Sequence, residues 1–361
     1  MTTPLNQLLD SQDLERVRAP LEQAWTLPPA AYTDPRIFEL ERKHLFAKEW
    51  QCVAREEQLA NAGDFVSVDL LDQPIVVARA RDGQLRALSR VCLHRAMPVV
   101  EGSGNASRFV CPYHKWTYEL SGELRSAPMM EGVEGFAADS CRLPQLALEV
   151  WQGFVFVSLD PDPAPLAPQL EALTKTLEPY GLADQTIVGT IEYDSPWNWK
   201  ILVENFMEAY HHIGTHKESL EHTYPARDSS IDDNDRAPWV FLRMPGKHDG
   251  DGPPLFAACV FPTLMFLAHG AGGAWYQLEP TAHDQMRLRI HAMMPSSTAS
   301  TLDEDSKEAV LGILRTVHEE DIEANLGIWQ GLHSELTQQG RLSLYEKSIW
   351  QLNQLWLERL A

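Results

Sequence analysis

Two cysteines and two histidines in the first half of the chain have a spacing that suits a metal cluster. Cys92 and His94 form a C-x-H pair, and after sixteen intervening residues Cys111 and His114 form a C-x-x-H pair. A tetrahedral zinc ion is the competing interpretation, because two Cys and two His are a common zinc set. Zinc fingers, however, usually pair Cys with Cys and His with His along the chain. Here each of two loops offers one of each, which favours a mixed-ligand [2Fe–2S] cluster that carries single electrons.

The residues after the second pair are suited to shielding such a cluster. Trp116 and Tyr118 follow directly, in a strand-like segment. Ordinary strand packing explains them equally well. Imidazoles in place of two thiolates make a cluster less negative and raise its potential, as in Rieske clusters.

A second set of metal-binding residue types lies further along, where three histidines compete. An Fe(II) that activates O₂ is commonly held by two His and one carboxylate, with open positions left for ligands. On a regular helix His212 and His216 share a face, whereas His211 and His216, five residues apart, are about 140° apart. The latter two can meet only if the helix breaks between them, which Gly214 permits. The residues alone leave the pair open.

The elements that must position these residues fall into two groups. A helical pattern covers 37–49, and short β-rich segments separated by Asp, Gly and Pro fill 50–160. A proline-rich stretch at 160–168 predicts a linker. The second half should contain a helix at 170–181, strands at 186–194, 255–269 and 274–294, and closing helices at 303–337 and 342–360.

Composition excludes several classes of function. The 361 residues carry 51 acids against 30 bases, a net charge of −21, so nucleic acid is not an expected partner. Five cysteines in a long chain do not predict a disulfide framework. No window approaches 18 uninterrupted apolar residues, and the acidic N-terminal segment matches neither a secretory signal nor a transit peptide. We therefore expect no membrane span and a cytoplasmic location.

Taken in order, the two constellations resemble the α subunit of Rieske non-haem iron oxygenases. The resemblance runs from C-x-H and C-x-x-H, through N-W-K and E-N-x-x-E-x-Y-H-x(4)-H, to E-D and Q-x-G-L near the end. It covers nearly the whole chain, and the combination is highly specific. It implies a Rieske [2Fe–2S] cluster and a mononuclear Fe(II) as cofactors.

The resemblance assigns the iron ligands that geometry left open. It implies that His211 and His216 bind the iron, with His212 as a neighbour. The carboxylate should come from the segment 318–332, where Asp321 takes the ligand position and Glu320 is the runner-up. Without the surrounding motif these acids would be interpreted as a solvated charge run.

Two further residues receive roles from the resemblance. An acidic residue at Glu208 links the two metal sites, accepting hydrogen bonds from an iron-binding His and from a cluster-binding His of the neighbouring subunit. Most members have Asp there, and Glu is similar to the branch that acts on quaternary ammonium compounds. Asn205 should lie close to the iron, and Tyr210 is a plausible neighbour. Ala96 and Lys115 depart from the family, which commonly has Gly at both positions.

The implied fold class is α+β. An all-β Rieske domain (45–160) should precede a helix-grip catalytic domain (1–44 and 161–361), in which an antiparallel sheet curls around a long helix. The family forms head-to-tail trimers, so a homotrimer is expected. Electrons should come from NAD(P)H through a separate reductase or ferredoxin, because the chain has no G-x-G-x-x-G signature.

The implied activity is O₂-dependent hydroxylation, or N- or O-demethylation, of a small organic substrate. A quaternary ammonium compound and a substituted aromatic or heteroaromatic acid are both candidates. The alternative function is a stand-alone Rieske electron carrier, which would need only the first 160 residues. Candidate pocket residues are Phe206, Phe256, Met265, Phe266, Leu267, Trp275, Tyr276 and His291.

Overall fold

The chain folds into two compact units. The computed structural model describes residues 4–247, 254–270 and 272–360. One unit is Ala47–Leu166, and the other combines Met1–Phe46 with Ala167–Ala361. The predicted limits at 45 and 160 lie close to these bounds. The second unit is therefore discontinuous in sequence, with the first inserted into it.

The inserted unit is built from antiparallel strands. Seven of them form a sheet in the order β1-β10-β9-β4-β3-β2-β5, and three form a small sheet in the order β6-β7-β8. The strands are β1 (Gln51–Arg55), β2 (Asp64–Leu70), β3 (Gln73–Arg79), β4 (Leu85–Ser89), β5 (Ser103–Asn105), β6 (Phe109–Val110), β7 (Thr117–Tyr118), β8 (Leu124–Ser126), β9 (Gln145–Trp151) and β10 (Phe154–Ser158).

The discontinuous unit has an antiparallel sheet in the order β11-β17-β16-β15-β14-β13-β12. The predicted segments 255–269 and 274–294 each contain two strands, and the first divides near Pro262, which has no amide hydrogen for a ladder. Sequence analysis missed the buried strand β13, although its W-V-F-L run is typical of a strand. The strands are β11 (Gln185–Ser195), β12 (Ser230–Ile231), β13 (Trp239–Met244), β14 (Leu255–Val260), β15 (Leu264–His269), β16 (Gly272–Ala282) and β17 (Gln285–Pro295).

One long helix, α9, packs against this sheet, as the helix-grip prediction requires. It contacts β11, β17 and the helix α6. It ends at Leu332, five residues before the predicted end. The α-helices are α1 (Ser11–Arg18), α2 (Ala30–Thr33), α3 (Pro35–Glu41), α4 (Leu166–Gln169), α5 (Glu171–Leu177), α6 (Trp199–Phe206), α7 (Leu220–Thr223), α8 (Ser296–Ala299), α9 (Glu304–Leu332) and α10 (Lys347–Leu360).

A buried carboxylate ties three of these helices together. Glu41, at the end of α3, accepts hydrogen bonds from Trp199 Nε1 at 2.9 Å, Lys200 Nζ at 2.5 Å and Trp356 Nε1 at 2.7 Å. Glu41 is fully buried and Lys200 nearly so. A buried charge pair is tolerated only when its polar atoms are satisfied, and the two indoles complete this set. The network fixes the start of α6, the helix that leads into the candidate iron site.

No helix in the described ranges combines the length and the apolar composition that crossing a bilayer requires.

Candidate metal centres and substrate cavity

The predicted cluster ligands lie on two turns with the same backbone pattern. In each turn the cysteine amide donates to the carbonyl five residues later, and the amide four residues later donates back to the cysteine carbonyl. Cys92 and Cys111 are buried, whereas His94 is exposed and His114 is half-buried. The two imidazole centroids are 4.6 Å apart. The thiols therefore lie at the base of the site and the imidazoles at its surface.

The two departures from the family pattern fall at matching places in these turns. Ala96 and Lys115 have φ angles of 56° and 60°, in the left-handed region. A Cβ atom makes this conformation costly by roughly 1–2 kcal/mol, and glycine adopts it freely. The backbone thus explains why glycine is common at both positions. Neither substitution removes a ligand.

Aromatic side chains enclose the cysteine end, as predicted. Trp116 is buried and stacks on His94, with centroids 5.0 Å apart and planes 6° apart. The hydroxyl of Tyr118 accepts from the amide of Leu93 at 3.0 Å and lies 3.3 Å from Sγ of Cys92. Because that hydroxyl already accepts, its own hydrogen points to the sulfur. Hydrogen bonds to a cluster ligand raise its reduction potential.

The spacing of the four donor atoms fits a diiron cluster better than zinc. A zinc ion with bonds of about 2.0–2.3 Å brings its ligand atoms to within roughly 4 Å of one another. In the part of the chain that the structure describes, only one set of three Cys, His or acidic ligands has its donor atoms within 4.8 Å, and that set contains none of these four. Two buried thiols and two outer imidazoles, set further apart, suit two irons.

The candidate iron site depends on a break in the helix. Helix α6 ends at Phe206, and a 3₁₀ turn at Tyr210–Ile213 follows. The amide of Gly214 donates to the carbonyl of His211 at 3.0 Å, and the chain then turns away. His211 and His216 therefore do not share one regular helix, and the 140° separation no longer applies.

The break brings His211 and His216 together with Asp321 of α9. Their donor atoms lie within 4.8 Å of one another. The Nε2 atoms of His216 and His211 are 3.0 and 3.5 Å from Oδ1 of Asp321. His212 points elsewhere, since its Nδ1 donates to the carbonyl of Tyr224 at 3.1 Å, and burial lowers its pKa to about 4. Two imidazoles and one carboxylate are the donor set that non-haem Fe(II) prefers.

Two glutamates hold the far sides of these imidazoles. Nδ1 of His211 donates to Oε1 of Glu208 at 2.6 Å, and its backbone amide donates to Oε2 at 3.0 Å. Nδ1 of His216 donates to Glu320 at 2.6 Å, and the same oxygen accepts from Ser219 at 2.6 Å. Both Nε2 atoms are left with lone pairs for a metal. Glu320, the runner-up ligand, therefore lies behind His216.

Asn205 acts on the carboxylate. Its Nδ2 donates to Oδ1 of Asp321 at 3.1 Å. Burial alone would raise the pKa of Asp321, but hydrogen bonds from His216 and Asn205, together with nearby His211, lower it. The side chain is thus ionised at neutral pH, as a metal ligand must be.

A largely apolar cavity of about 380 Å³ opens onto these ligands. Besides Asn205, Glu208, Asp321 and the three histidines, its wall consists of Leu202, Phe206, Leu220, Tyr224, Met244, Leu255, Leu267, His269, Gly272, Gly273, Ala274, Tyr276, Met293, Met294, Val310, Ile313, Leu314, Val317 and His318.

Three of the eight predicted pocket residues, Phe206, Leu267 and Tyr276, line this cavity. The other five are absent from its described wall, and strand alternation explains one pair of them. Trp275 neighbours Tyr276 but faces the other side of the sheet, where it stacks on His291 at 4.5 Å. The remaining three are Phe256, Met265 and Phe266.

A second cavity of about 260 Å³ shares Asn205, Glu208 and His211 with the first. In its wall the hydroxyl of Tyr32 donates to both carboxylate oxygens of Glu204, at 2.8 and 2.9 Å. Burial raises the pKa of Glu204 to about 7. The three shared residues form a partition between two chambers.

Sequence analysis missed part of this surrounding shell. Metal-bound histidines usually donate their other N–H to a carboxylate, so Glu320 could have been sought as the partner of His216. Tyr32 gave no signal, because it lies far from the motifs in sequence. Tyr210 lines neither cavity wall as described, is 44% exposed and stacks near Tyr345, so its predicted place beside the metal is not what the structure shows.

Two family models match the chain. The Rieske [2Fe–2S] domain matches residues 49–137, and the ring hydroxylating alpha subunit (catalytic domain) matches residues 182–361. Together they cover most of the 361 residues.

Similar proteins agree with these matches. The carnitine monooxygenase oxygenase subunit of Escherichia coli (strain K12) is 39% identical over 193 residues, 53% of this chain and 52% of the relative. The glycine betaine monooxygenase oxygenase subunit of Chromohalobacter salexigens is 35% identical over 196 residues, 54% of this chain and 44% of the relative. The chain thus spans about half the length of these curated relatives.

A solved structure extends the similarity to the whole fold. The quaternary ammonium Rieske monooxygenase CntA in complex with γ-butyrobetaine superposes with a TM-score of 0.84. The match has 25% sequence identity and covers 98% of this chain and 99% of the other.

Proposed function

This chain belongs to the α subunits of Rieske non-haem iron oxygenases, and from that premise we propose that it uses O₂ and externally supplied electrons to oxidise a quaternary ammonium compound. The observation that carries the proposal is the set His211, His216 and Asp321 in the wall of an apolar cavity. A stand-alone electron carrier needs the cluster turns but has no use for this second site.

The substrate class is supported by the relatives and by the cavity. The similar proteins are named for carnitine, glycine betaine and quaternary ammonium oxidation. Phe206 and Tyr276 lie side by side in the cavity wall, with centroids 4.7 Å apart. Aromatic faces attract quaternary ammonium groups. The reaction would hydroxylate the substrate, or demethylate it through a hydroxylated methyl group.

The chain's own residues prepare both sites. Cys92, His94, Cys111 and His114 would hold the [2Fe–2S] cluster. When bound, the cluster and the iron supply single electrons and O₂ activation.

Around the candidate iron ligands the chain sets orientation and dryness. Glu208 and Glu320 fix the tautomers of the two imidazoles, and Asn205 holds Asp321 in place. The apolar wall excludes water and positions the substrate methyl groups.

We propose a head-to-tail homotrimer in which Glu208 of one copy receives a cluster-binding histidine of the next. Exposed apolar side chains support it. Leu93 and Tyr113 flank the cluster turns, and Ile213 and Tyr345 lie exposed in the other unit. Patches of this kind mark interaction sites. Sedimentation should give three times the chain mass, and a monomer would contradict the trimer.

A separate NAD(P)H-dependent reductase or ferredoxin would supply electrons. The exposed His94 and Arg95 at the cluster tip suit an encounter with such a partner. The cytoplasm is the proposed location, because that is where NAD(P)H is regenerated.

Metal content and turnover test the proposal together. The oxygenase should hold about three iron and two acid-labile sulfide per chain, a cluster plus one iron, whereas a carrier should hold about two of each. With a surrogate reductase, quaternary ammonium compounds should stimulate O₂ uptake and aromatic acids should not. A zinc protein without cluster absorption, or stimulation by aromatic acids alone, would refute it.

A further inference from the structure

We infer that the substrate of this chain is an organic cation with an uncharged, apolar tail, and not a zwitterion that ends in a carboxylate. The inference rests on the proposed function, because it concerns the compound bound in the same cavity. It narrows that function, since carnitine-like and betaine-like compounds carry a carboxylate that the wall must accommodate.

The cavity wall offers no permanent positive charge. Among the described residues that line it, none is Lys or Arg. Residues 248–253 and 271, outside the described ranges, contain neither residue type. A carboxylate that enters an apolar site without a charged partner loses its hydration and gains little in return. The wall therefore selects against an anionic tail.

The histidines of the wall do not replace the missing cation. His211 and His216 already donate to Glu208 and Glu320 and turn their Nε2 atoms towards Asp321. The other imidazoles lie in surroundings that disfavour a positive charge.

Burial lowers the pKa of His269, and lowers those of His212 and His318 to about 4. These rings are neutral at pH 7. Nε2 of His318 is buried and, among the described residues, has no hydrogen-bond partner, so it offers one bond to a neutral group.

The negative and aromatic groups favour a cation at one end of the cavity. The only carboxylates of the described wall, Glu208 and Asp321, accompany the candidate iron ligands. Phe206 and Tyr276 supply aromatic faces nearby. Much of the remaining wall is aliphatic, with Met244 among three methionines whose flexible side chains adapt to varied apolar shapes. An ammonium head and an apolar tail match these two halves.

Three isosteric probes test the inference by calorimetric binding to the anaerobic holoenzyme. They are γ-butyrobetaine, the trimethylammonium compound in which an isopropyl group replaces its carboxylate, and the neutral analogue of that compound with carbon in place of nitrogen. The isopropyl cation should bind at least about 30-fold more tightly than γ-butyrobetaine, and more tightly than the neutral analogue.

Equal or tighter binding of γ-butyrobetaine, equal binding of the neutral analogue, or binding of none of the three would overturn the inference. O₂ uptake with the same probes is recorded separately. If the isopropyl cation binds best but no probe stimulates O₂ uptake, the proposed function fails while the inference about the wall stands.

A matched pair of variants tests the cause of the preference. Ile313 lines the cavity but is 67% exposed, so Ile313→Arg adds a cation without burying it fully. This variant should improve γ-butyrobetaine binding about tenfold relative to the isopropyl cation. Among the described residues of the same helix, Leu326 is 42% exposed and lines neither cavity, so Leu326→Arg should leave the ratio unchanged. An unchanged ratio in Ile313→Arg would contradict the inference.

Discussion

The two candidate metal sites are built in opposite ways. Each cluster turn is complete within a few residues, and its pair of backbone hydrogen bonds places Cys92 or Cys111 without help from distant segments. The iron site joins a broken helix to α9, and 104 residues separate His216 from its partner Glu320. The first site is therefore a local property of the sequence, and the second is a property of the fold.

The two sites also differ in exposure. His94 is at the surface, whereas His216 is 1% exposed behind a wall of apolar side chains. A group that exchanges electrons with a partner protein must be reachable. A centre that activates O₂ beside a substrate must exclude water. The contrast in exposure matches the contrast in the proposed tasks.

The largest expected effect comes from separating the two sites by mutation. Asp321→Ala removes a charged ligand, so iron should fall from about three to about two per chain and turnover by at least about 1,000-fold, with about two sulfides retained. Iron and sulfide analysis with visible spectroscopy measures this. Cys111→Ser is the converse, with cluster absorption lost. Retention of the third iron in Asp321→Ala would show that this carboxylate is not a ligand.

A smaller loss is expected at Glu208, where the two sites would communicate. Glu208→Ala should keep the cluster absorption but lower substrate-coupled turnover by roughly 100-fold, because His211 loses the partner that fixes its ring. Glu320→Gln is the matched control behind the other imidazole, where a weakened iron site should be restored by excess Fe(II). Normal coupled turnover in Glu208→Ala would remove its bridging role.

The pH dependence of stability should be a property of the iron-binding unit. Burial raises the pKa of Glu204 to about 7, so the native state favours the protonated form. Its contribution is complete below the unfolded pKa near 4.5 and is lost as pH rises through 7. From pH 5 to 8, wild type should lose on the order of 1 kcal/mol of unfolding free energy relative to Glu204→Gln. Urea titrations measure this, with exposed Glu171→Gln as the control; parallel curves for wild type and Glu204→Gln would contradict it.

The smallest effect is expected in the cluster turns. Ala96→Gly and Lys115→Gly should each stabilise the protein by about 0.5–1 kcal/mol, because glycine adopts the left-handed backbone without a Cβ penalty. Ala60→Gly is the control, since Ala60 has a φ of −69° and should be destabilised by the same change. Thermal unfolding monitored through cluster absorption distinguishes these outcomes. Destabilisation by all three would mean that the turns are not strained.

The contrast explains what could be predicted from the sequence. The cluster turns follow from local spacing, and resemblance supplied the iron ligands. Helix geometry alone pointed to His212 with His216, because nothing in the sequence requires the chain to break after Phe206. The pocket prediction erred at Trp275 for a similar reason, since a strand's periodicity does not say which face meets the cavity.

The long-range supports were beyond the sequence for a physical reason. Glu41 and Tyr32 reach the catalytic unit only because the first 46 residues fold back onto it across the inserted unit. No local pattern records such a contact. The expected trimer and the role of Glu208 towards a neighbouring copy stay predictions.

The network around Glu41 has a consequence for biogenesis. During synthesis the inserted unit is complete once Leu166 has emerged from the ribosome, whereas Glu41 waits for Trp356, almost the last residue of the chain. Because domains fold as units in order of their appearance, the cluster scaffold can mature first. Iron–sulfur loading can then precede assembly of the mononuclear site, and a chain truncated within its last turns would retain the first centre while losing the second.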